Sequence, residues 1–369
     1  MRLINIESCH SGLILGQSIY NEKGTVLLAK GTELTEIYIQ KLQKYNIHTL
    51  YIDDGVSEGI DIIESFPEAL RVEAINNITE GLHTIADLQS EKPTLQKMMN
   101  SSNAIRGFQK VFREILQTLK ENKTALNLLA STKVYDNYLY THSVNVAIYA
   151  CQLALANGLP LKNVEEIGLG AILHDVGKLS VPIEILNKPG KLTNEEYEIV
   201  KSHSTTGFEL LRRIHEIPLL VSHCALQHHE RIDGKGYPRG LEGDNIHPYS
   251  KIISVADVFD AVTSQRTYRR PLLPHVAMEL LYSGSGTQFD THQVRLFKEG
   301  IAIYPVGITV KLNDGRTGIV SNYNYSAVGR PEIRIIKDEE NQTISPYEID
   351  LAAFDCLRIE IIEADALLY

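Results

Sequence analysis

Short apolar runs separated by glycines characterise the first part of the chain. The runs at 13–15, 26–29 and 49–52 are broken by turn-forming glycines, a pattern that is typical of short strands. Thr35 precedes a stretch with helical periodicity, so we expect Thr35 to be the N-cap of one short helix. The pattern predicts a small β-rich N-terminal module over residues 1–62.

Residues 63–132 carry apolar positions spaced three to four residues apart in a polar, helix-favouring background. These positions are Leu70, Ala74, Ile78, Leu82, Ile85, Phe108, Val111, Ile115 and Leu119. The spacing predicts connecting helices with an apolar stripe. The sequence leaves two interpretations of that stripe open: it packs onto the catalytic region that follows, or a second copy of the chain covers it in a homodimer.

The rest of the chain changes from a helical to an alternating pattern. Residues 133–300 are mostly helical by periodicity, with interruptions at Gly and Pro. After Pro305 apolar and polar residues alternate around the Asn-Asp-Gly turn at 313–315, which indicates a hairpin in a β-rich module over 301–369. The expected fold class is mainly α, a helical bundle between two small β-rich modules.

Composition restricts the classes of function. The 369 residues are 43% hydrophobic, which is enough for a substantial core. The net charge of −10 comes from 36 Lys and Arg against 46 Asp and Glu, without a basic block, which argues against DNA or RNA as a partner. The sequence shows no basic leader before a long apolar core and no run of about eighteen apolar residues, so we expect a cytoplasmic protein without a membrane partner.

Histidines and aspartates are concentrated in the central helical region. Seven of them occupy positions that we expect to face inward: His142, His174, Asp175, His203, His228, His229 and Asp257. A single histidine on an apolar face is most simply a hydrogen-bonded core residue. Seven such groups would be costly to bury without a cation that shares their lone pairs, and imidazole and carboxylate groups suit divalent metals. Asp175 is the natural bridge between two ions.

The order of these motifs resembles a known superfamily. His142, HDVGKL at 174–179, HHERIDGKGYP at 228–238 and ADVFDAV at 256–262 resemble the HD metal-dependent phosphohydrolases, and the GYP tripeptide resembles their HD-GYP branch. The similarity extends over about residues 135–270. It implies a helical-bundle HD-type domain whose bound metals, commonly iron or manganese, hydrolyse cyclic di-GMP to linear pGpG, in some members on to GMP.

The resemblance also implies a ligand set. One metal would be held by His142, His174, Asp175 and Asp257, and the second by Asp175, His203, His228 and His229. Family members with a third metal have a Glu one helical turn before the first ligand, where this chain has Tyr138, so we expect two ions. Asp260, three residues after Asp257, has a structural role in this resemblance.

Further residues are expected to act on the substrate. Lys178, three residues after Asp175, resembles the lysine beside the scissile phosphate, which makes Asp175 and Lys178 the expected catalytic residues. Arg266 and Arg269 lie one helical turn apart and are assigned to the substrate phosphates. Tyr237 contacts the substrate, or the GYP loop instead shapes the site or contacts a partner domain. The expected reaction is in-line attack on phosphorus by a hydroxide that bridges the two metals.

The sequence leaves the function open in two respects. The chain is either an enzyme or a binding module that captures cyclic di-GMP and signals through its β-rich modules without useful turnover. The metal ligands also fit hydrolysis of another cyclic dinucleotide, because they determine the type of reaction and not the base. Imidazole and carboxylate ligands do not select among iron, manganese, nickel and zinc either.

Overall fold

A computed structural model of the protein describes residues 1–20, 26–45, 47–62, 66–89, 95–121, 138–264, 271–324 and 327–365. The helices are α1 (Glu36–Lys44), α2 (Glu68–Ala86), α3 (Leu95–Glu121), α4 (Tyr138–Ala156), α5 (Leu161–Leu173), α6 (Ile183–Leu186), α7 (Asn194–Leu211), α8 (Leu219–Gln227), α9 (Pro248–Thr263), α10 (Pro274–Ser283) and α11 (Thr291–Gly300). The strands are β1 (Arg2–Asn5), β2 (Ile14–Leu15), β3 (Ile19–Tyr20), β4 (Val26–Leu28), β5 (Thr49–Asp53), β6 (Thr309–Leu312), β7 (Thr317–Asn322), β8 (Glu332–Lys337), β9 (Thr343–Asp350) and β10 (Ile361–Asp365). The predicted class, mainly α with small β-rich modules at both ends, is confirmed. Among the described helices none has both the length and the hydrophobicity needed to cross a bilayer.

One hydrophobic core joins α2 to α5 and α7 to α11. At its centre Tyr149 of α4 packs edge-on against Phe259 of α9, with ring centroids 5.2 Å apart, and both rings contact Phe297 of α11. Most residues of α4 and α9 are buried, His142 and Asp257 among them, so these two side chains face other helices and not solvent. His142 on α4 and Asp257 on α9 therefore need partners inside the protein.

The helices predicted within residues 63–132 pack onto this helical region. Ile78 of α2 and Phe108 of α3 are fully buried in the same core as Val144 of α4. Their apolar stripe is therefore covered by the chain itself, which corresponds to one of the two interpretations of the sequence. The homodimer stays a prediction, as do the domain boundaries.

The two β-rich modules are antiparallel. The N-terminal module has a three-stranded sheet in the order β1-β5-β2, a β3-β4 pair and α1, whose first turn is capped by Thr35 Oγ1 accepting the Tyr38 N–H at 3.3 Å, as predicted. The C-terminal sheet has the order β10-β6-β7-β8-β9. The predicted hairpin joins β6 to β7, and Gly315 in its turn has a φ of +94°, a conformation that favours glycine.

The N-terminal module contacts the C-terminal sheet. The Leu3 N–H donates to the Gly307 carbonyl at 2.8 Å. Ile60 is buried in the core of the C-terminal sheet together with Val310 and Ile335. The two ends of the chain thus share packing, which the sequence pattern did not predict.

Candidate metal centre

Seven side chains from five helical segments converge in the helical region. They lie on α4 (His142), directly after α5 (His174 and Asp175), on α7 (His203), directly after α8 (His228 and His229) and on α9 (Asp257). All are buried except His229, whose side chain is 24% exposed. Their ligand atoms form three overlapping groups, each with all atoms within 4.8 Å of one another. The structure therefore brings the whole predicted ligand set together.

The two carboxylate oxygens of Asp175 face different histidines. Oδ2 lies 3.3 Å from His174 Nε2 and 3.8 Å from His142 Nε2. Oδ1 lies 3.3 Å from His203 Nε2 and 3.7 Å from His228 Nε2. We call the two sides the first half (His142, His174 and Asp257) and the second half (His203, His228 and His229), with Asp175 between them.

Asp257 completes the first half. Its Oδ1 lies 3.0 Å from His142 Nε2 and 3.8 Å from His174 Nε2. Its Oδ2 lies 4.0 Å from His229 Nδ1, in the second half. Ligand atoms bound at about 2.0–2.2 Å from one ion are separated from each other by about 3 Å or more. The observed separations therefore suit donor atoms that share a cation.

Hydrogen bonds on the opposite ring nitrogen orient four of the histidines. In three of them Nδ1 donates to a main-chain carbonyl three residues earlier: His174 to Ala171 (2.7 Å), His203 to Val200 (2.6 Å) and His228 to Ala225 (3.0 Å). In His142, Nδ1 donates to the Asp260 carboxylate at 2.7 Å. Because main-chain carbonyls only accept, the proton of His174, His203 and His228 lies on Nδ1, and the Nε2 lone pair of each faces the centre. In His142 the bond to Asp260 likewise directs Nε2 toward the centre, where it lies 3.0 Å from Asp257 Oδ1.

The carboxylates of the centre are held in their ionised form. Burial raises the pKa of Asp175, but His174 and Lys178 outweigh it and hold the pKa well below its usual range. Burial also raises the pKa of Asp257, but the hydrogen bond from His142 outweighs burial, and the pKa lies below its usual range. Burial lowers the pKa of His142, yet its hydrogen bonds to the two nearby aspartates raise the pKa to about 9.

The histidines of the second half show the opposite trend. Burial lowers the pKa of His203, although Asp175 opposes the effect. Burial and the neighbouring His229 lower the pKa of His228 well below its usual value. Burial also lowers the pKa of His229, to about 3. These imidazoles are therefore neutral at neutral pH, and neutral imidazole is the form that binds metals.

The donor set fits divalent cations. Within the described residues His174 Nε2 and Asp175 Oδ1 are buried without a hydrogen-bond partner. Buried polar atoms normally have partners, because an unsatisfied one is costly. Both atoms face the centre, and their chemistry, imidazole nitrogen and carboxylate oxygen, is that of borderline metal ligands. The residues present therefore fit a site for divalent metal ions.

A close approach between two backbone segments brings Asp175 next to His203. The 3₁₀ turn Val176–Ser180 follows Asp175 and lies against α7. A Cβ at Gly177 would lie 2.0 Å from the His203 carbonyl oxygen and 2.7 Å from the Gly207 nitrogen. Only glycine permits this approach. Close packing between the 3₁₀ turn and α7 therefore requires the glycine of the HDVGKL motif.

The predicted cationic residues lie in different positions relative to the centre. Lys178 Nζ pairs with Asp175 Oδ2 at 2.5 Å, and the Lys178 side chain is 24% exposed. Its ammonium group therefore lies between the buried centre and solvent. Arg266 and Arg269 lie outside the described residues, so their contact with substrate phosphates stays a prediction.

Glu230 holds the loop that carries Tyr237. The buried Glu230 carboxylate accepts the backbone N–H groups of Arg239 at 2.8 Å and Leu241 at 2.9 Å. Gly236 packs so closely on the chain after the histidine pair that a Cβ there would lie 2.5 Å from the Glu230 Cα. These contacts fold the GYP loop back onto the second half of the centre.

Tyr237 lines the rim of the second half. Its ring centroid lies 4.7 Å from that of His229 and 6.4 Å from that of His203. On the other side Tyr197 of α7 packs edge-on against it at 6.4 Å, and Lys201 Nζ lies 5.8 Å from the Tyr237 centroid. Tyr237 thus shapes this side of the site, and its contact with a substrate stays a prediction.

Two residues support the centre from behind: Asp260, for which the resemblance implied a structural role, and Asn145, which sequence reasoning missed. Asp260 and Asn145 form hydrogen bonds around His142 without being candidate ligands themselves. Each lies three residues after a predicted ligand, on the same helical face, and this spacing was an available signal. Glu230, directly after the histidine pair, gave no signal of its own because loop contacts are not periodic.

A helical bundle that encloses a buried histidine and aspartate centre defines the class of this protein. Residues 95–292 match the HD domain family, and residues 309–360 match the KOW domain associated with the HD domain. The chain belongs to the HD domain family. The resemblance to the HD-GYP branch that the motifs predicted is confirmed.

The chain is also similar to proteins that carry names. The chain is 37% identical over 238 residues to the cyclic di-GMP phosphodiesterase PA4108 of Pseudomonas aeruginosa, covering 64% of this chain and 57% of that protein. It is 35% identical over 187 residues to the 3′3′-cGAMP-specific phosphodiesterase 2 of Vibrio cholerae, covering 50% of this chain and 35% of that protein. Bd1817, an HDG"Y"P protein from Bdellovibrio bacteriovorus, aligns with a TM-score of 0.46 and 18% identity over 80% of this chain and 97% of that chain. The chain spans about half the length of the curated relatives that it matches.

Proposed function

We propose that this chain is a metal-dependent phosphodiesterase that hydrolyses cyclic di-GMP to linear pGpG, with cleavage on to GMP as a second step to be tested. The observation that carries the proposal is Asp175, whose two oxygens face two sets of imidazoles at 3.3 to 3.8 Å. A carboxylate in this position can serve two cations, the arrangement used by two-metal phosphoester hydrolases. The name of the P. aeruginosa relative supports cyclic di-GMP as the substrate.

Two divalent metal ions, iron or manganese, are the proposed cofactors. One would be held by His142, His174, Asp175 and Asp257, and the other by Asp175, His203, His228 and His229. When bound, such ions lower the pKa of water and offset negative charge on phosphoryl oxygens.

The protein's own groups have separate proposed roles. Asp175 stays ionised and orients ligands on both sides, while the Lys178 ammonium at the edge of the centre offsets charge that develops on the phosphate. A fixed charge of this kind contributes about 2–4 kcal/mol to transition-state stabilisation. Tyr237 packs on His229 and restricts the approach of substrate on that side. Arg266 and Arg269 are proposed to bind the phosphates that do not react.

A second cyclic dinucleotide, 3′3′-cGAMP, is the competing substrate. The similarity to a V. cholerae enzyme named as specific for this compound favours it as the alternative. The metal centre acts on the phosphodiester, which both compounds contain, and the base is recognised elsewhere in the site. Comparison of the two rates therefore decides the substrate without changing the proposed chemistry.

Metal analysis combined with a product assay tests the proposal. Protein purified without oxygen should contain two metal ions per chain and convert many equivalents of cyclic di-GMP to pGpG, detected by liquid chromatography. Chelation should abolish turnover, and Mn²⁺ or Fe²⁺ should restore it. Binding of cyclic di-GMP without product over many enzyme equivalents would show a receptor module. Absence of bound metal under these conditions would reject the metal-dependent mechanism.

A further inference from the structure

A buried arginine reaches the side chains behind the candidate metal centre. Arg71 lies on α2, before the residues that match the HD domain family, and is 4% exposed. Its Nη2 donates to Asn145 Oδ1 at 2.8 Å. A guanidinium group keeps its charge at all ordinary pH values and is costly to bury unless hydrogen bonds compensate it. The contact with Asn145 is therefore a specific interior interaction.

A series of hydrogen bonds leads from Arg71 to His142. Asn145 Nδ2 donates to Asp260 Oδ1 at 2.7 Å, and Asp260 Oδ2 accepts the proton of His142 Nδ1 at 2.7 Å. Ser264 Oγ donates to the same Oδ1 at 2.8 Å. Arg71, Asn145, Asp260 and His142 are all buried. The series links α2, α4 and α9 inside the protein, away from competing water.

Chemistry fixes the direction of each bond in this series. The Asp260 carboxylate only accepts, so the Asn145 amide must turn its NH₂ group toward it. Asn145 Oδ1 then points the other way and needs a donor, which Arg71 supplies because a guanidinium only donates. Without Arg71 the amide loses the contact that holds this orientation. Asp260, which accepts from His142 Nδ1, then also loses the fixed orientation of its Asn145 donor.

A second hydrogen bond joins α2 to α4. The Tyr140 hydroxyl and His83 Nε2 lie 2.8 Å apart. Tyr140 and Asn145 lie on either side of His142 along α4, so α2 holds this helix on both sides of the candidate ligand. Two directional bonds between the same pair of helices oppose sliding of one along the other.

We propose that Arg71 is a positioning residue for the metal centre, which acts through Asn145 and Asp260 on His142. In this view α2 is required for the geometry of the first half, although it supplies no ligand. The inference rests on the proposed metal centre. It predicts that loss of Arg71 weakens the first half and leaves the second half unchanged, because His203 and His228 are oriented by carbonyls of their own segments.

Mn²⁺ binding to the full-length chain, stripped of metal, tests the proposal. Arg71→Met is combined with His203→Ala, which leaves the first half, and separately with His142→Ala, which leaves the second half. In the first background Arg71→Met should weaken Mn²⁺ binding about tenfold, the lower end of what loss of an outer contact costs. In the second background it should have no effect. Arg113→Met is the matched control, because Arg113 is exposed on α3.

The outcomes separate the positioning role from a general loss of stability. Equal weakening in both backgrounds, or none in either, would overturn the proposal. A further check adds Asp260→Asn to the His203→Ala background. If Arg71 acts through Asp260, Arg71→Met should then change the Mn²⁺ affinity of the first half by less than about twofold, since coupled residues are not additive. A full tenfold effect in that variant would also overturn it. If the unsubstituted chain binds no Mn²⁺, the proposed function itself fails, which is a distinct result.

Discussion

The two halves of the candidate metal centre are oriented in different ways. In the second half, His203 and His228 each donate to a carbonyl three residues earlier in their own segment. In the first half, His174 donates in the same way to the Ala171 carbonyl, but His142 donates to Asp260, which lies 118 residues away on another helix. Local backbone thus aligns His203, His228 and His174, whereas the alignment of His142 depends on the packing of α2, α4 and α9.

The halves also differ in charge. Burial lowers the pKa of His142 in the first half, but hydrogen bonds to Asp257 and to Asp260 behind it raise that pKa to about 9. In the second half burial dominates and lowers the pKa of His229 to about 3. A centre that combines both environments has one side rich in anionic oxygen and one rich in neutral nitrogen. Asp175 lies between the two sides, with one carboxylate oxygen facing each.

Substitution of Asp175 should remove the difference by disabling both halves at once. Asp175→Ala takes away the oxygens that face His142 and His174 on one side and His203 and His228 on the other. We expect loss of both metal ions and of detectable phosphodiesterase turnover, measured by elemental analysis and product assay. Asp244→Ala, on an exposed aspartate of the same region, should leave both unchanged. Unchanged hydrolysis by Asp175→Ala would reject the assignment.

Gly177→Ala should damage the second half and the fold around it. The added Cβ would lie 2.0 Å from the His203 carbonyl oxygen, a backbone atom that cannot rotate away. We expect the free energy of unfolding to fall by about 3 kcal/mol, the upper end for overpacking. Gly107→Ala on α3, where no atom lies within 4 Å of the new Cβ, should instead raise it by about 0.5–1 kcal/mol. Equal denaturation midpoints for the two variants would contradict this account.

The inward-facing positions of the seven candidate ligands could be predicted from the sequence because they follow short local patterns. The His174–Asp175 pair and the His228–His229 pair are adjacent in the chain, and helical periodicity indicated that Asp257 faces inward. Thr35 and the turn at 313–315 were predictable for the same reason, because caps and tight turns depend on neighbouring residues.

The support of the ligands could not be predicted in this way. The contact of Arg71 with Asn145 spans 74 residues, and periodicity shows which face of a helix is buried without showing what covers it. The packing of Ile60 into the C-terminal sheet is a similar case. Long-range polar contacts depend on how helices and sheets pack, and packing is decided by the whole core.

Asp260→Asn should weaken the first half selectively. The Asp260 carboxylate accepts from His142, Asn145 and Ser264, and an amide has only one oxygen to offer. We expect metal affinity of the first half to fall about 10- to 100-fold while the second half is unchanged. Titration of the metal-stripped protein with Mn²⁺, in variants that retain only one half, measures this. Equal losses in both halves would show that the two do not differ in their support.

Glu230→Gln should affect neither half and should change only the loop beside the second half. Glu230 accepts two backbone N–H groups, from Arg239 and Leu241, and one oxygen of glutamine can replace only one of these acceptors. The loop that carries Tyr237 then loses a charge-assisted hydrogen bond worth about 1.5–3 kcal/mol. Metal content should stay at the original value, because the ligand histidines keep their own hydrogen bonds. If Tyr237 contacts the substrate as predicted, the KM for cyclic di-GMP should rise several-fold with a smaller change in kcat, because a ground-state contact is then loosened. A loss of metal together with activity would instead show that the loop supports the second half. Both halves would then depend on tertiary contacts, and the contrast between them would fail.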